Sequence, residues 1–174
     1  MKKALFLDRD GVINKEKNYL YKIEDFEFID GVFETCKYFQ DKGYLLVIIT
    51  NQAGIARGKY SEDDFKALTL WMLEQFAENG IQITQVYHCP HHPDFSGECS
   101  CRKPKSGMIL EAQKEFEIDL KNSILVGDKN SDIKAGLNAR IEKNYLITTG
   151  HQIDKNTFNV KIINNLKELK GEMI

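Results

Sequence analysis

Two kinds of hydrophobic spacing alternate along this chain. Short, largely apolar stretches occur at Ala4–Leu7, Tyr44–Ile49, Ile83–Tyr87, Ile124–Val126 and Tyr145–Thr148. Such runs suit strands covered on both faces. Between them, apolar residues recur every three or four positions: Val32, Cys36 and Phe39; Phe65, Leu68, Met72 and Phe76; Ile109, Ala112 and Phe116. That period predicts helices with one buried face. Gly43 and Gly80 suit the ends of the first two, and Ser61 with Asp64 has the spacing of a capping box. A helix from about Ser131 to Asn138 and a last strand and helix from Val160 to Leu169 complete the series.

Strands alternating with helices predict an α/β fold, a Rossmann-like parallel sheet with helices on both faces and right-handed crossovers. Residues 1–174 are expected to form a single domain, without internal repeats. In such sheets ligands bind beyond the carboxyl ends of the strands. Asp8 and Asp10, Thr50 and Asn51, and Asp128 all follow predicted strands, so the topology gathers them at one edge. Alternate residues of a strand face opposite ways, so Asp8 and Asp10 can share a site only if the chain turns there, and Gly11 makes that turn easy.

Composition narrows the partners. A net charge of -2, with 42% apolar and 29% charged residues, provides no electrostatic footprint for nucleic acid. The apolar stretch after Met1-Lys2-Lys3 stops at Asp8, too short for an export signal, and no run approaches the ~18 apolar residues of a membrane span. A cytoplasmic monomer acting on a small molecule is expected, with reduced thiols. Its four cysteines then suggest metal before disulfides.

The chemistry follows from the clustered carboxylates. Oxygen-rich sites of this kind suit Mg2+, which retains several waters, and Asp8 and Asp128 are expected to share one ion. Carboxylates gathered in this way repel one another and any anionic ligand, a repulsion that a metal and cationic donors must cancel. Lys103 and Thr50 suit that role. Lys129 is expected near the site, and Asp132 behind it.

These residues resemble the haloacid dehalogenase superfamily of phosphatases. Asp8-Arg9-Asp10-Gly11 matches its first motif, Ile49-Thr50-Asn51 its second, Lys103 its third and Gly127–Asp132 its fourth. The resemblance implies that Asp8 attacks phosphorus to give an aspartyl-phosphate, while Asp10 protonates the leaving oxygen and later activates water. It also implies that Asp8, Asp128 and the Asp10 carbonyl hold the magnesium. Substrate contacts are expected from Arg9, Thr50, Asn51, Gln52, Arg102, Lys103 and Lys129. About twenty residues separate Asp10 from the first helix, too few for a large cap domain. Within them, Glu16, Lys17, Asn18 and Tyr19 are expected to line the substrate.

A second cluster packs Cys89, His91, His92, Cys99 and Cys101 into thirteen residues. Thiolates with one histidine suit tetrahedral zinc, and four protein ligands make such a site structural. Spacing leaves the histidine open among His88, His91 and His92. The cluster runs directly into Arg102-Lys103-Pro104, so a zinc loop over residues 88–103 would also fix those cations, and Arg102 could fork onto a second phosphate. Cys36 is expected in the core.

The same CPHHP and CxCRKP pattern occurs in the superfamily branch that holds the heptose bisphosphate and histidinol phosphatases. That resemblance implies Cys89, His91, Cys99 and Cys101 as ligands. The run Asn51–Gly58 favours the heptose enzymes of nucleotide-heptose (lipopolysaccharide or surface glycan) biosynthesis, although Ala53 stands where that branch usually has serine. The sugar 1,7-bisphosphate, cut at its 7-phosphate, is therefore the expected substrate. Histidinol phosphate and a non-catalytic zinc-stapled module are the alternatives.

Overall fold

The computed structural model describes residues 1–151 and 160–173. Six strands, β1 (Ala4–Leu7), β2 (Leu45–Asn51), β3 (Gln85–Cys89), β4 (Ile124–Gly127), β5 (Lys143–Ile147) and β6 (Lys161–Ile163), form one sheet in the order β3-β2-β1-β4-β5-β6. Every pairing is parallel. The chain winds outward from β1 to β3, then returns to lay β4 on the other side of β1. Asp8 and Asp128 thus leave neighbouring strands at the point where the winding reverses, the place where open α/β sheets bind ligands.

Helices α1 (Val32–Asp41), α2 (Glu62–Glu78), the short α3 (Pro93–Ser96), α4 (Gly107–Phe116) and α5 (Asn130–Asn138) fall where the apolar periods predict them, apart from α3. The period-2 alternation of β1 divides the core. Leu5 and Leu7 join Val32, Phe39, Leu68, Met72 and Phe76 of α1 and α2 on one face. Ala4 and Phe6 join Ile109, Ala112 and Ile133 of α4 and α5 on the other. Each large apolar side chain buried there contributes about 1.5–3 kcal/mol, which holds the strand ends in register.

Several boundaries differ from the sequence reading, and the second strand runs on to Asn51, so Thr50 and Asn51 close it where they were expected to follow it. The third strand runs to Cys89, because its pairing with β2 continues to Asn51 opposite Cys89. The first cysteine of the cluster therefore stands at the functional edge of the sheet. The fifth strand is displaced toward its N-terminus. The final helical segment, Leu166–Met173, is a 3-10 helix, docked by the buried Leu166 and Leu169. Between β1 and α1 the chain forms only a 3-10 turn, Ile23–Asp25, and packs down through Phe26 and Phe28 against Trp71. No separate cap arises from that segment. No helix among the described residues is long and apolar enough to cross a membrane.

Candidate active site

A turn immediately after β1 builds the center. The carbonyl of Arg9 accepts backbone N–H groups from Val12, Ile13 and Asn14 at 3.2, 2.8 and 3.2 Å, bending the chain out of the sheet. Gly11 lies at φ +90°, and a Cβ there would stand 2.2 Å from Asp128 Oδ2. Only glycine combines that backbone angle with that approach. The turn brings both Asp8 and Asp10 to the wall of a cavity of about 530 Å³.

Asp8 Oδ1 accepts Lys103 Nζ at 3.0 Å and the Arg9 N–H at 2.9 Å. Lys103 also donates to Asp132 Oδ1 at 2.6 Å and to the Ile49 carbonyl at 3.0 Å, so the three hydrogens of the ammonium are committed. Burial alone would push Lys103 down, but Asp132 and Asp8 hold it well above the ordinary lysine range. Asp132 is thus a central member of the site: its Oδ2 accepts the N–H groups of Asp128 and Lys129, both at 3.1 Å, at the start of α5.

Asp8, Asp128 and Asp132 can bring one carboxylate oxygen each to within 4.8 Å of the others. Burial, then the charge of Asp132, raises Asp8 well above the ordinary range and Asp128 to about 7. Three buried carboxylates facing one lysine lack a cation. Asp132 is consumed by Lys103 and two amides, whereas Asp128 Oδ1 is buried with no hydrogen-bond partner among the described residues. Asp8 and Asp128 therefore fit a divalent ion of the Mg2+ type. His151, which the sequence reading did not single out, meets Asp128 Oδ2 through Nδ1 at 2.5 Å and lines the cavity.

Asp10 is held differently. Its Oδ1 accepts Arg9 Nη2 at 2.8 Å and Asn14 Nδ2 at 3.0 Å, and its Oδ2 accepts Gln52 Nε2 at 3.0 Å. Burial works to raise its pKa, but Arg9, Asn14 and Gln52 together hold it below the ordinary range. Gln52 is itself locked, donating to Thr50 Oγ1 at 2.8 Å and accepting the Tyr60 hydroxyl. Two adjacent carboxylates thereby acquire opposite tendencies, as separate roles require.

The predicted site residues divide by position. Glu16, Asn18, Tyr19, Asn51, Gln52, Arg102, Lys103 and Lys129 line the cavity with Asp8 and Asp10. Thr50 is fully buried behind Gln52. With Thr50, three expected substrate contacts do not reach the cavity wall: Arg9 is 1% exposed, turned inward onto Asp10, and Lys17 turns to Glu27 at 2.7 Å. Arg57, His92 and Tyr60 join the lining unpredicted. Arg57 and Tyr60 lie beyond the apolar run of β2, where lone polar residues carry no signal of direction, and the sequence offers His92 only as a candidate zinc ligand.

The second cluster is also assembled. Cys89, His91, Cys99 and Cys101 can place one donor atom each within 4.8 Å of one another. Cys89 Sγ stands 3.6 Å from both His91 Nδ1 and Cys99 Sγ, and His91 Nδ1 is 3.4 Å from Cys101 Sγ. The sulfurs of Cys89 and Cys101 are in bonding contact, as in a disulfide. A disulfide would employ two of these donors and leave Cys99 and His91 aimed at it. A single tetrahedral ion employs all four. His88 is turned away, bonded to Glu62 at 2.8 Å and stacked on Phe65, while His92 caps α3 through Nδ1. Arg102 Nη1 donates to the His91 carbonyl at 3.4 Å, so the loop does aim that guanidinium into the cavity.

The chain is similar to known phosphatases in sequence and in fold. Residues 3–166 match the family described as Polynucleotide kinase 3 phosphatase. The chain is 55% identical, over 96% of its length and 93% of the relative's, to the D-glycero-alpha-D-manno-heptose-1,7-bisphosphate 7-phosphatase of Campylobacter jejuni subsp. jejuni. It is 49% identical, over 88% of its length and 85% of the relative's, to the D-glycero-beta-D-manno-heptose-1,7-bisphosphate 7-phosphatase of Haemophilus influenzae. The solved D,D-heptose 1.7-bisphosphate phosphatase from B. bronchiseptica, complexed with magnesium and phosphate, superimposes with a TM-score of 0.84 at 26% identity, covering 98% of this chain and 99% of that one. The chain belongs to the Polynucleotide kinase 3 phosphatase family, in the haloacid dehalogenase-type branch shared with the heptose-1,7-bisphosphate 7-phosphatases.

Proposed function

We propose that this chain hydrolyses the 7-phosphate of D-glycero-D-manno-heptose 1,7-bisphosphate and leaves the 1-phosphate in place. The observation that carries the reading is the pairing of Asp8, oriented by Lys103, with Asp10, fixed on the same turn by three donors. The names of relatives at 49–55% identity supply the sugar. The family description alone would suggest nucleic-acid ends, but a net charge of -2 does not favour a polyanion.

Asp8 attacks phosphorus; the aspartyl oxygen–phosphorus bond forms as the bond to the sugar O7 breaks, and O7 leaves with its electron pair and a proton from Asp10. A bound magnesium held by Asp8, Asp128 and the Asp10 carbonyl would neutralise the phosphoryl charge. Resting Asp10 is ionised. A phosphomonoester arriving as its monoanion, with a second pKa of about 6, carries the proton that Asp10 passes to O7. Asp10 then takes a proton from the water that cleaves the aspartyl-phosphate. Lys129 serves the phosphoryl group and Glu16, Asn18 and Tyr19 serve the sugar, while Thr50 acts from beneath the site by accepting Gln52 Nε2. Zinc on Cys89, His91, Cys99 and Cys101 would stiffen the loop that presents Arg102 to the second phosphate.

Phosphate release should be measured from both anomers of the heptose bisphosphate, from histidinol phosphate and from a 3′-phosphorylated oligonucleotide, each with Mg2+. The bisphosphate is expected to lead, with the α anomer ahead because the 55%-identical relative is named for it. Faster turnover of histidinol phosphate or of the oligonucleotide would overturn the assignment. Asp8→Asn should abolish the hydroxylamine-labile acyl-phosphate enzyme while still binding substrate, and near-normal turnover would remove Asp8 as nucleophile.

A further inference from the structure

Arg9 is the largest fully buried side chain among the described residues, and it does not face the cavity. An isolated guanidinium is costly to bury, so its surroundings show what it is for. Nη2 donates to Asp10 Oδ1 at 2.8 Å and to the Leu20 carbonyl at 3.3 Å. Its carbon stands 5.9 Å from the ring centers of both Phe26 and Phe65, within reach of cation–π attraction from each. Nε has no hydrogen-bond partner among the described residues. The ionic partner of this cation is therefore Asp10, and every other contact serves to hold the guanidinium in place.

Those contacts come from three parts of the fold. Phe26 and Leu20 belong to the segment that replaces a cap, Phe65 belongs to α2, and Arg9 itself lies in the turn after β1. The Asp10 side chain is 20% exposed while that of Arg9 is 2% exposed, so one carboxylate is anchored from beneath and open from above. Asn14 and Gln52 restrain the same carboxylate from its flanks. Rotation of Asp10 toward solvent would strand a buried cation. That penalty is absent from a site in which only neutral donors hold the carboxylate.

We infer that Arg9 is a positioning residue, which aims the Asp10 carboxyl at the leaving-group oxygen by making any other orientation leave a buried guanidinium unpaired. The inference rests on the acid–base role of Asp10 proposed above. It makes a demand that a merely structural arginine does not. Protonation matters most when the leaving oxygen is basic, so loss of aim should penalise poor leaving groups and spare good ones. Unfolding or general loosening would penalise both alike.

Arg9→Met and Arg9→Lys should be assayed with Mg2+ on phenyl phosphate and p-nitrophenyl phosphate, which are close in size but differ in leaving-oxygen basicity, and on the heptose bisphosphate. Each rate is referred to the folded fraction measured by circular dichroism. General acid–base catalysis contributes about 10²–10⁴-fold, so Arg9→Met is expected to lower kcat/KM at least about 100-fold on the sugar phosphate and phenyl phosphate, yet less than about 10-fold on p-nitrophenyl phosphate. Lysine keeps the charge but not the planar fork, and should restore part of the loss. If Arg9→Met does not fold, Arg9→Lys decides through the same ratio between substrates. Equal losses on all substrates, or none, would overturn the inference. Asp10→Asn run in parallel separates the two levels of the argument. Leaving-group dependence in Asp10→Asn but not in the Arg9 variants rejects Arg9 alone. Its absence in Asp10→Asn rejects the acid–base reading of Asp10.

Discussion

Replacing Asp132 by asparagine removes one charge and changes no volume, yet it should disturb both stability and catalysis. The carboxylate accepts Lys103 Nζ at 2.6 Å on one oxygen and two backbone N–H groups at 3.1 Å on the other, and the residue is 2% exposed. An asparagine has one acceptor, so however its amide turns, an NH2 group must face a buried donor. A hydrogen bond to a charged group contributes about 1.5–3 kcal/mol, and an unsatisfied buried partner costs about 1–3 kcal/mol more. Part of this is offset, because Asp132 repels Asp8 and Asp128, and Lys103 keeps Asp8 and the Ile49 carbonyl. A net loss of about 2–4 kcal/mol follows, and at about 2–4 °C per kcal/mol for a chain of this size, Tm should fall by roughly 5–15 °C. Thermal unfolding of the chelator-treated protein by circular dichroism reads this directly. Mg2+-dependent kcat/KM should fall in the same variant, because Lys103 then orients Asp8 with one carboxylate in place of two. A Tm within about 1 °C of the parent, with undiminished turnover, would show that Asp132 is not part of the site.

Three more outcomes follow from the geometry. Gly11→Ala forces a Cβ to within 2.2 Å of the Asp128 carboxylate at a backbone angle hostile to alanine; Mg2+ titration of activity should show affinity weakened by about 10–100-fold, the range seen when metal-ligand support is lost. Burial, followed by Asp132, raises Asp128 to about 7. In the metal-free protein the stability contributed by its proton is present below the unfolded pKa of about 3.9 and is lost as pH rises through about 7, so the Tm gain on adding Mg2+ should grow across that interval. A gain independent of pH would contradict this. Among the thiols, burial pushes Cys36 up to about 12. A thiol reagent without reductant should find Cys89, Cys99 and Cys101 only after strong chelation, and Cys36 only after unfolding. Prompt reaction of Cys99 alone, with Cys89 and Cys101 appearing only after reduction, would establish a disulfide in place of zinc.

The sheet was legible because its strands are buried on both faces, so their apolar runs are uninterrupted where β1 and β4 lie. The edges were harder. The third strand was misplaced by two residues because β3 is an edge strand with exposed Gln85, and its apolar pattern is half erased. The terminal 3-10 helix presents the same spaced leucines as an α-helix would, and three-residue and four-residue periods cannot be separated over so short a segment.

The site was legible to the extent that topology determines it. Any residue placed just past a strand end in this sheet arrives at the same edge, so Asp8, Asn51 and Asp128 could be placed without knowing a single side-chain direction. Direction is what the sequence conceals. Arg9 lies between two carboxylates in a motif and reads as another substrate contact, but the turn that sends Asp8 and Asp10 to the cavity sends the residue between them the other way. Gln52 likewise reads as a substrate contact, whereas Tyr60, eight positions on, closes over its amide and fixes it on Asp10. Both restrain Asp10 from buried positions, where a polar side chain is tolerated for the partners it engages: Asp10 and the Leu20 carbonyl for Arg9, and Asp10, Thr50 and Tyr60 for Gln52. These restraints explain how two carboxylates a residue apart can differ in charge tendency: Asp8 faces other acids with one lysine, whereas Asp10 is surrounded by donors. The nucleophile therefore waits for a metal, while its neighbour is already held for proton transfer.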